Sequence, residues 1–177
     1  MTKHNERCKE CKKRIFELLV EIYGKDNVFQ NINLKFPNKV EEFSQNEFNP
    51  DLTEIFIKLK EYRGHLEFVR SRKLPNVDYY VNNHFILEFD ESQHFTKPRL
   101  IALEKYPEKL SLGFDKNKWM GLCKKLDRKD NDPPFRDEQR AWYDTIRDYA
   151  PAFLNLKPTI RLFASDYQWC SFDINNH

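Results

Sequence analysis

Between Val77 and Asp90 two apolar runs, Val77-Asp78-Tyr79-Tyr80-Val81 and Phe85-Ile86-Leu87-Glu88-Phe89-Asp90, flank the polar break Asn82-Asn83-His84. β-branched and aromatic residues on both sides of so short a break predict an antiparallel hairpin. Loop length then sets the register. If Asn82, Asn83 and His84 form a three-residue loop, Val81 pairs with Phe85 and Asp78 falls opposite Glu88. One face of the hairpin carries Asp78, Tyr80, Ile86, Glu88 and Asp90, and the other Val77, Tyr79, Val81, Phe85, Leu87 and Phe89. A two-residue loop would send Asp78 and Glu88 to opposite faces. The pattern favours the register that gathers carboxylates on one side. Ionised groups beside a core are costly unless something compensates them, most simply a bound cation.

The rest of the chain is read around this hairpin. At 177 residues it is expected to be one domain, and its 40% hydrophobic and 15% aromatic content argues for a folded chain. The net charge of +2 announces no polyanion partner by itself, so a local basic face would have to attract one. No apolar run approaches a membrane span and Met1–Arg7 is too polar for a secretory signal. A cytoplasmic address and no membrane partner are expected. Cys8 and Cys11 have metal-ligand spacing but lack a second pair, and are read as thiols in a reducing cytosol.

A first helix is expected over 6–23, ending at Gly24, with Ile15, Leu18, Leu19 and Ile22 as its buried stripe. A strand is expected over 27–36, a helix after Asp51, helices over 98–106, 119–126 and 135–149, a strand over 159–164 and a short edge strand over 169–172. This order predicts an α/β fold, a small mixed sheet flanked by helices. With 4 glycines, no glycine-rich phosphate loop is present.

Asp78, Glu88 and Asp90 supply hard oxygen donors that suit Mg2+ or Mn2+. Such an ion binds a phosphate oxygen, activates water and neutralises a leaving group. Glu17 and Glu21 of the first helix are further candidate ligands, with solvated surface as the plainer reading.

Asp78, followed after a hydrophobic run by Glu88-Phe89-Asp90-Glu91-Ser92-Gln93-His94, resembles the active-site hairpin of the PD-(D/E)XK nuclease superfamily, the restriction-endonuclease-like fold. It is most similar to the very-short-patch-repair-like branch, where a Glu-x-Asp-Gly-x-x-His strand end is typical. Asp137-Glu138-Gln139-Arg140 and the strand holding Arg161 also resemble that branch's last helix and strand. The resemblance covers residues 12 to 165, with 38–73 and 96–133 as helical insertions in a restriction-endonuclease-like core. It implies a metal-dependent endonuclease acting on DNA in restriction, repair or defence, with RNA as the other substrate and a homodimer where two strands are cut.

By that resemblance Asp78, Glu88 and Asp90 are metal ligands, and Gln93 and His94 join them as catalytic residues. Asp90 stands where many members carry a lysine, and Glu91 where glycine often follows. Gln93, His94, Lys97 or Arg99 is expected to replace the lysine, unless Asp90 is a third ligand. Lys97, Arg99, Arg136, Arg140 and Arg147 are the candidate phosphate contacts, although pairing within the helix, such as Arg140 with Asp144, is the rival reading. His84 in the loop is read as structural. Two alternatives remain: a non-catalytic nucleic-acid-binding or interaction protein that keeps the fold, and a carboxylate-pair glycosidase, which the crowding of the acids disfavours.

Overall fold

The structure, a computed structural model, describes residues 9–171. A mixed sheet of four strands, in the order β1 (Val28–Ile32), β2 (Val77–Val81), β3 (Phe85–Asp90) and β4 (Ile160–Phe163), is flanked by five helices. These are α1 (Lys9–Tyr23), α2 (Asn49–Arg63), α3 (Lys97–Glu104), α4 (Lys116–Leu126) and α5 (Arg136–Leu154). β1, β2 and β3 run antiparallel, while β4 lies parallel to β3. None of the described helices is long and apolar enough to cross a membrane.

The hairpin adopts the three-residue loop. Val81 pairs with Phe85, Tyr80 with Ile86 and Tyr79 with Leu87. Asn83 takes a φ of 55°, a left-handed conformation that asparagine tolerates better than most residues. β3 is buried along its whole length, as expected of a strand covered on both faces. On one side Tyr79, Val81, Phe85, Leu87 and Phe89 meet Cys11, Ile15 and Leu19 of α1. On the other Ile86 joins the larger core with α2, α3 and α5.

Alternation fails at the start of β2. Val77 packs into the α5-side core rather than under α1, where its parity with Tyr79 would place it. Opposite Asp78 the chain kinks at Asn31, whose φ is 53°, and pairing resumes at Ile32 and Val77. β1 then ends at Ile32, well before residue 36. Ile22, expected in the buried stripe of α1, is 58% exposed: it shares the helix face of Cys11, Ile15 and Leu19 but lies in the last turn of α1.

α5 continues beyond Tyr149 through Pro151. Proline has no N–H for the carbonyl of Arg147, four residues back. The Thr159 hydroxyl takes that place, donating to the Arg147 oxygen at 2.7 Å and fixing the entry to β4. Just before α4 the chain passes so close to this entry that a Cβ on Gly113 would lie 2.6 Å from the Thr159 oxygen. The expected edge strand near 169–172 is instead a 3-10 turn over Trp169–Ser171, since its backbone closes on itself from Gln168 to Ser171 rather than along β4.

Candidate metal centre

β3, the turn behind it, α3, α5 and β4 bring eight ionisable side chains into one network. Glu88 and Asp90 point to the α5 side, two residues apart on one strand. Parallel pairing sets Arg161 opposite Glu88, and its guanidinium reaches Asp90 Oδ1 at 2.7 Å and Asp148 Oδ1 at 2.7 Å. The Trp119 indole N–H donates to the other oxygen of Asp90 at 2.8 Å. From α3, Arg99 bonds to Asp148 Oδ2 at 2.6 Å. A 3-10 turn over Ser92–His94 swings His94 against α5, where Nδ1 lies 2.8 Å from Asp144 Oδ2 and 3.7 Å from Asp90 Oδ1. Arg147 lies 3.3 Å from Asp144 Oδ1. Its Nε is 3.4 Å from Glu88 Oε2, at ion-pair distance but without hydrogen-bond alignment.

The carboxylates Glu88, Asp90, Asp144 and Asp148 are therefore met by Arg99, Arg147, Arg161 and His94. Guanidinium groups supply much of the compensation that the sequence suggested a cation would provide. Burial pushes the Glu88 carboxyl up to about 7, against the pull of Arg147 and with help from the charge of Asp78. Burial also disfavours charge on His94, but the charge and hydrogen bond of Asp144, aided by Asp90, outweigh it and raise the imidazole above its ordinary value. Burial opposes ionisation of Asp144 as well, yet His94 and Arg161 hold it well below the usual carboxylate range.

Among the described residues, Asp90, His94 and Asp144 offer donor atoms that all lie within 4.8 Å of one another, close enough to share one cation. A cation there would compete for the His94 nitrogen with its proton. One nitrogen among the oxygens suits Mn2+ better than Mg2+, which prefers oxygen throughout. The donor set fits a divalent ion on those terms.

Asp78 sits beside this network rather than inside it. The Asp78 N–H donates to Glu88 Oε1 at 3.1 Å, while Asp78 Oδ2 accepts from the Phe89 N–H at 2.9 Å. Each carboxylate thus bonds to the opposite strand where the regular ladder stops. The remaining oxygen of Asp78 takes Lys12 of α1 at 2.7 Å. Lys12 was not anticipated; its signal is only a lysine in the first turns of a helix that packs under the hairpin. Gln93 gives its carbonyl to Arg140 at 3.0 Å and its side-chain amide to Glu91 at 3.0 Å.

The expected phosphate contacts divide sharply. Lys97 is exposed and Arg136 half-buried. Arg99 and Arg147 are buried in the network, because the α5 face that carries Arg147 is covered by the sheet and α3. They are not presented to a ligand at the surface. Arg140 bonds to Asp130 at 2.9 Å and lies 3.6 Å from Asp137, not to Asp144. Glu17 pairs with Arg14 at 2.9 Å on the surface of α1, as its plainer reading held. His84 stacks near Phe85 and Tyr23. Cys11 is buried, and Cys8 lies outside the described residues.

Compared with known proteins, the chain matches no family model, no curated protein sequence and no solved structure.

Proposed function

We propose that this chain is a divalent-metal-dependent phosphodiesterase acting on DNA, built on a restriction-endonuclease-like core. The observation that carries the reading is the convergence of Asp90, His94 and Asp144 at the end of the carboxylate hairpin, with Glu88 and Asp78 beside them. An ion held there would polarise a phosphate oxygen and lower the pKa of an attacking water. The chain's own groups fill the other roles. Glu88, its carboxyl raised to about 7 by burial and lying beside Arg147, helps set the charge next to the ion. Lys12 brings an ammonium to Asp78 from α1, supplying the positive charge that Asp90 displaces from its usual place in the superfamily. Ser92, Gln93, Arg128, Lys129 and Asp130 line a cavity of about 380 Å3 next to the turn that carries His94; Asp130 is paired with Arg140, so Arg128, Lys129 and exposed Lys97 are left as cations for a phosphate backbone.

A second reading has its own support. Arg147 and Arg161 already neutralise the hairpin carboxylates, which suits a nucleic-acid-binding protein that keeps the fold without catalysis. Cleavage of supercoiled plasmid and of single-stranded oligonucleotide, with Mn2+ or Mg2+ and with chelator, separates the two. The nuclease reading expects metal-dependent cutting that Glu88→Ala abolishes. Binding without cutting under every metal condition supports the second reading and rejects the first.

A further inference from the structure

On the opposite side of Trp119 from Asp90's core contacts, the chain forms an open cavity of about 540 Å3 between α4 and the end of β4. That volume lies within the range of small-molecule sites, roughly 300–1,000 Å3. Its walls are aromatic: Phe114, Trp119, Tyr167 and Trp169. These rings meet one another at steep angles rather than in stacks. Phe114 and Trp119 are 5.2 Å apart and tilted by 52°, and Tyr167 and Trp169 are 5.6 Å apart at 73°. Tyr167 is 52% exposed, so its ring face is accessible to a ligand in the cavity.

The charged groups of the cavity leave no excess of cation, since Asp115 and Asp166 both line it. Lys118 pairs with Asp166 at 2.6 Å on the rim, and Arg161 is neutralised from below by Asp90 and Asp148. No uncompensated cation draws a phosphate inward. The chemistry matches a neutral flat ring with hydrogen-bonding edges. The cavity shares two residues with the candidate metal centre: Trp119 lines it and donates its indole N–H to Asp90, and Arg161 lines it and pairs with Asp90.

We propose that this cavity receives an unstacked nucleobase, which makes single-stranded or locally unpaired nucleic acid the substrate. The assignment rests on the nucleic-acid reading above and adds its substrate class. Aromatic rings hold bases through their π faces whatever the base, so the pocket selects for an unpaired strand rather than for a sequence.

The test is fluorescence anisotropy of the full chain, with chelator present to prevent cutting. The probes are labelled oligothymidylate, the abasic backbone of equal length and charge, and a duplex. Oligothymidylate is expected to bind about 5- to 100-fold more tightly than the abasic strand. Tyr167→Ala should remove much of that preference while leaving abasic binding unchanged, and Phe114→Ala should act in the same direction. Equal affinity for the two strands, a preference for duplex, or a preference undiminished by Tyr167→Ala overturns the assignment. Base-dependent binding without metal-dependent cleavage supports the cavity and rejects the nuclease. Cleavage accompanied by base-independent binding rejects the cavity alone.

Discussion

Replacing Glu88 by glutamine isolates the energetic cost of the buried carboxyl. A group whose pKa is higher in the folded than in the unfolded chain holds its proton more tightly when folded. Its stabilising contribution is complete below the unfolded value and is lost as pH rises through the folded one. For Glu88 the rise from 4.5 to about 7 amounts to roughly 3 kcal/mol. Most of this falls between pH 5 and pH 8. Asp78 from β2, Asp144 and Arg147 from α5 and Arg161 from β4 set that environment. His94 titrates in the same sense, because its pKa is also raised, so the wild type alone would mix the two effects. The comparison is therefore urea unfolding of wild type and Glu88→Gln at both pH values, with chelator present. Any pH-independent cost of the amide cancels in the difference. The wild type should lose roughly 2 to 3 kcal/mol more than the variant on going to pH 8. Equal losses in both proteins would refute a buried, proton-retaining Glu88.

Arg161→Met leaves Asp90 with only the Trp119 N–H and His94 at 3.7 Å and takes one of the two guanidiniums from Asp148, and should cost about 3–5 kcal/mol in denaturant unfolding. A loss below about 1 kcal/mol would mean that the network does not depend on this guanidinium. Thr159→Val leaves the Arg147 carbonyl without the hydroxyl that replaces the missing N–H of Pro151, and should cost about 1–3 kcal/mol by thermal unfolding. An unchanged midpoint would show that the carbonyl finds another donor.

The hairpin was legible because its loop length and its alternation demand the same register. Either alone would have been ambiguous; together they leave Val81 facing Phe85. The late helix and its following strand were legible for a similar reason, a long amphipathic run ended by a proline-bearing segment. What the sequence hid is the identity of the partners. Asp144 lies four residues from Arg140, but its partner on the helix is Arg147, three residues on, and its others, His94 and Arg161, come from elsewhere in the chain. Arg99 and Arg147 read as surface cations because one-dimensional spacing shows which residues share a helix face, not what covers it. Lys12 meets Asp78 across 66 positions, and Arg161 meets Asp90 across 71. Such pairings depend on how layers stack, and no local pattern records them. The kink at Asn31 and Asp78 escaped for the opposite reason, since a local backbone departure overrode a regular alternation.

The account depends most on whether the hairpin and α5 hold a metal ion. Mn2+ titration followed by electron paramagnetic resonance addresses this directly, comparing wild type with Asp144→Asn and checking by circular dichroism that both are folded. One strongly bound Mn2+ per wild-type chain, lost in the folded variant, is the expected result. No bound Mn2+ in the wild type, or undiminished binding in Asp144→Asn, would contradict a metal centre at Asp90, His94 and Asp144.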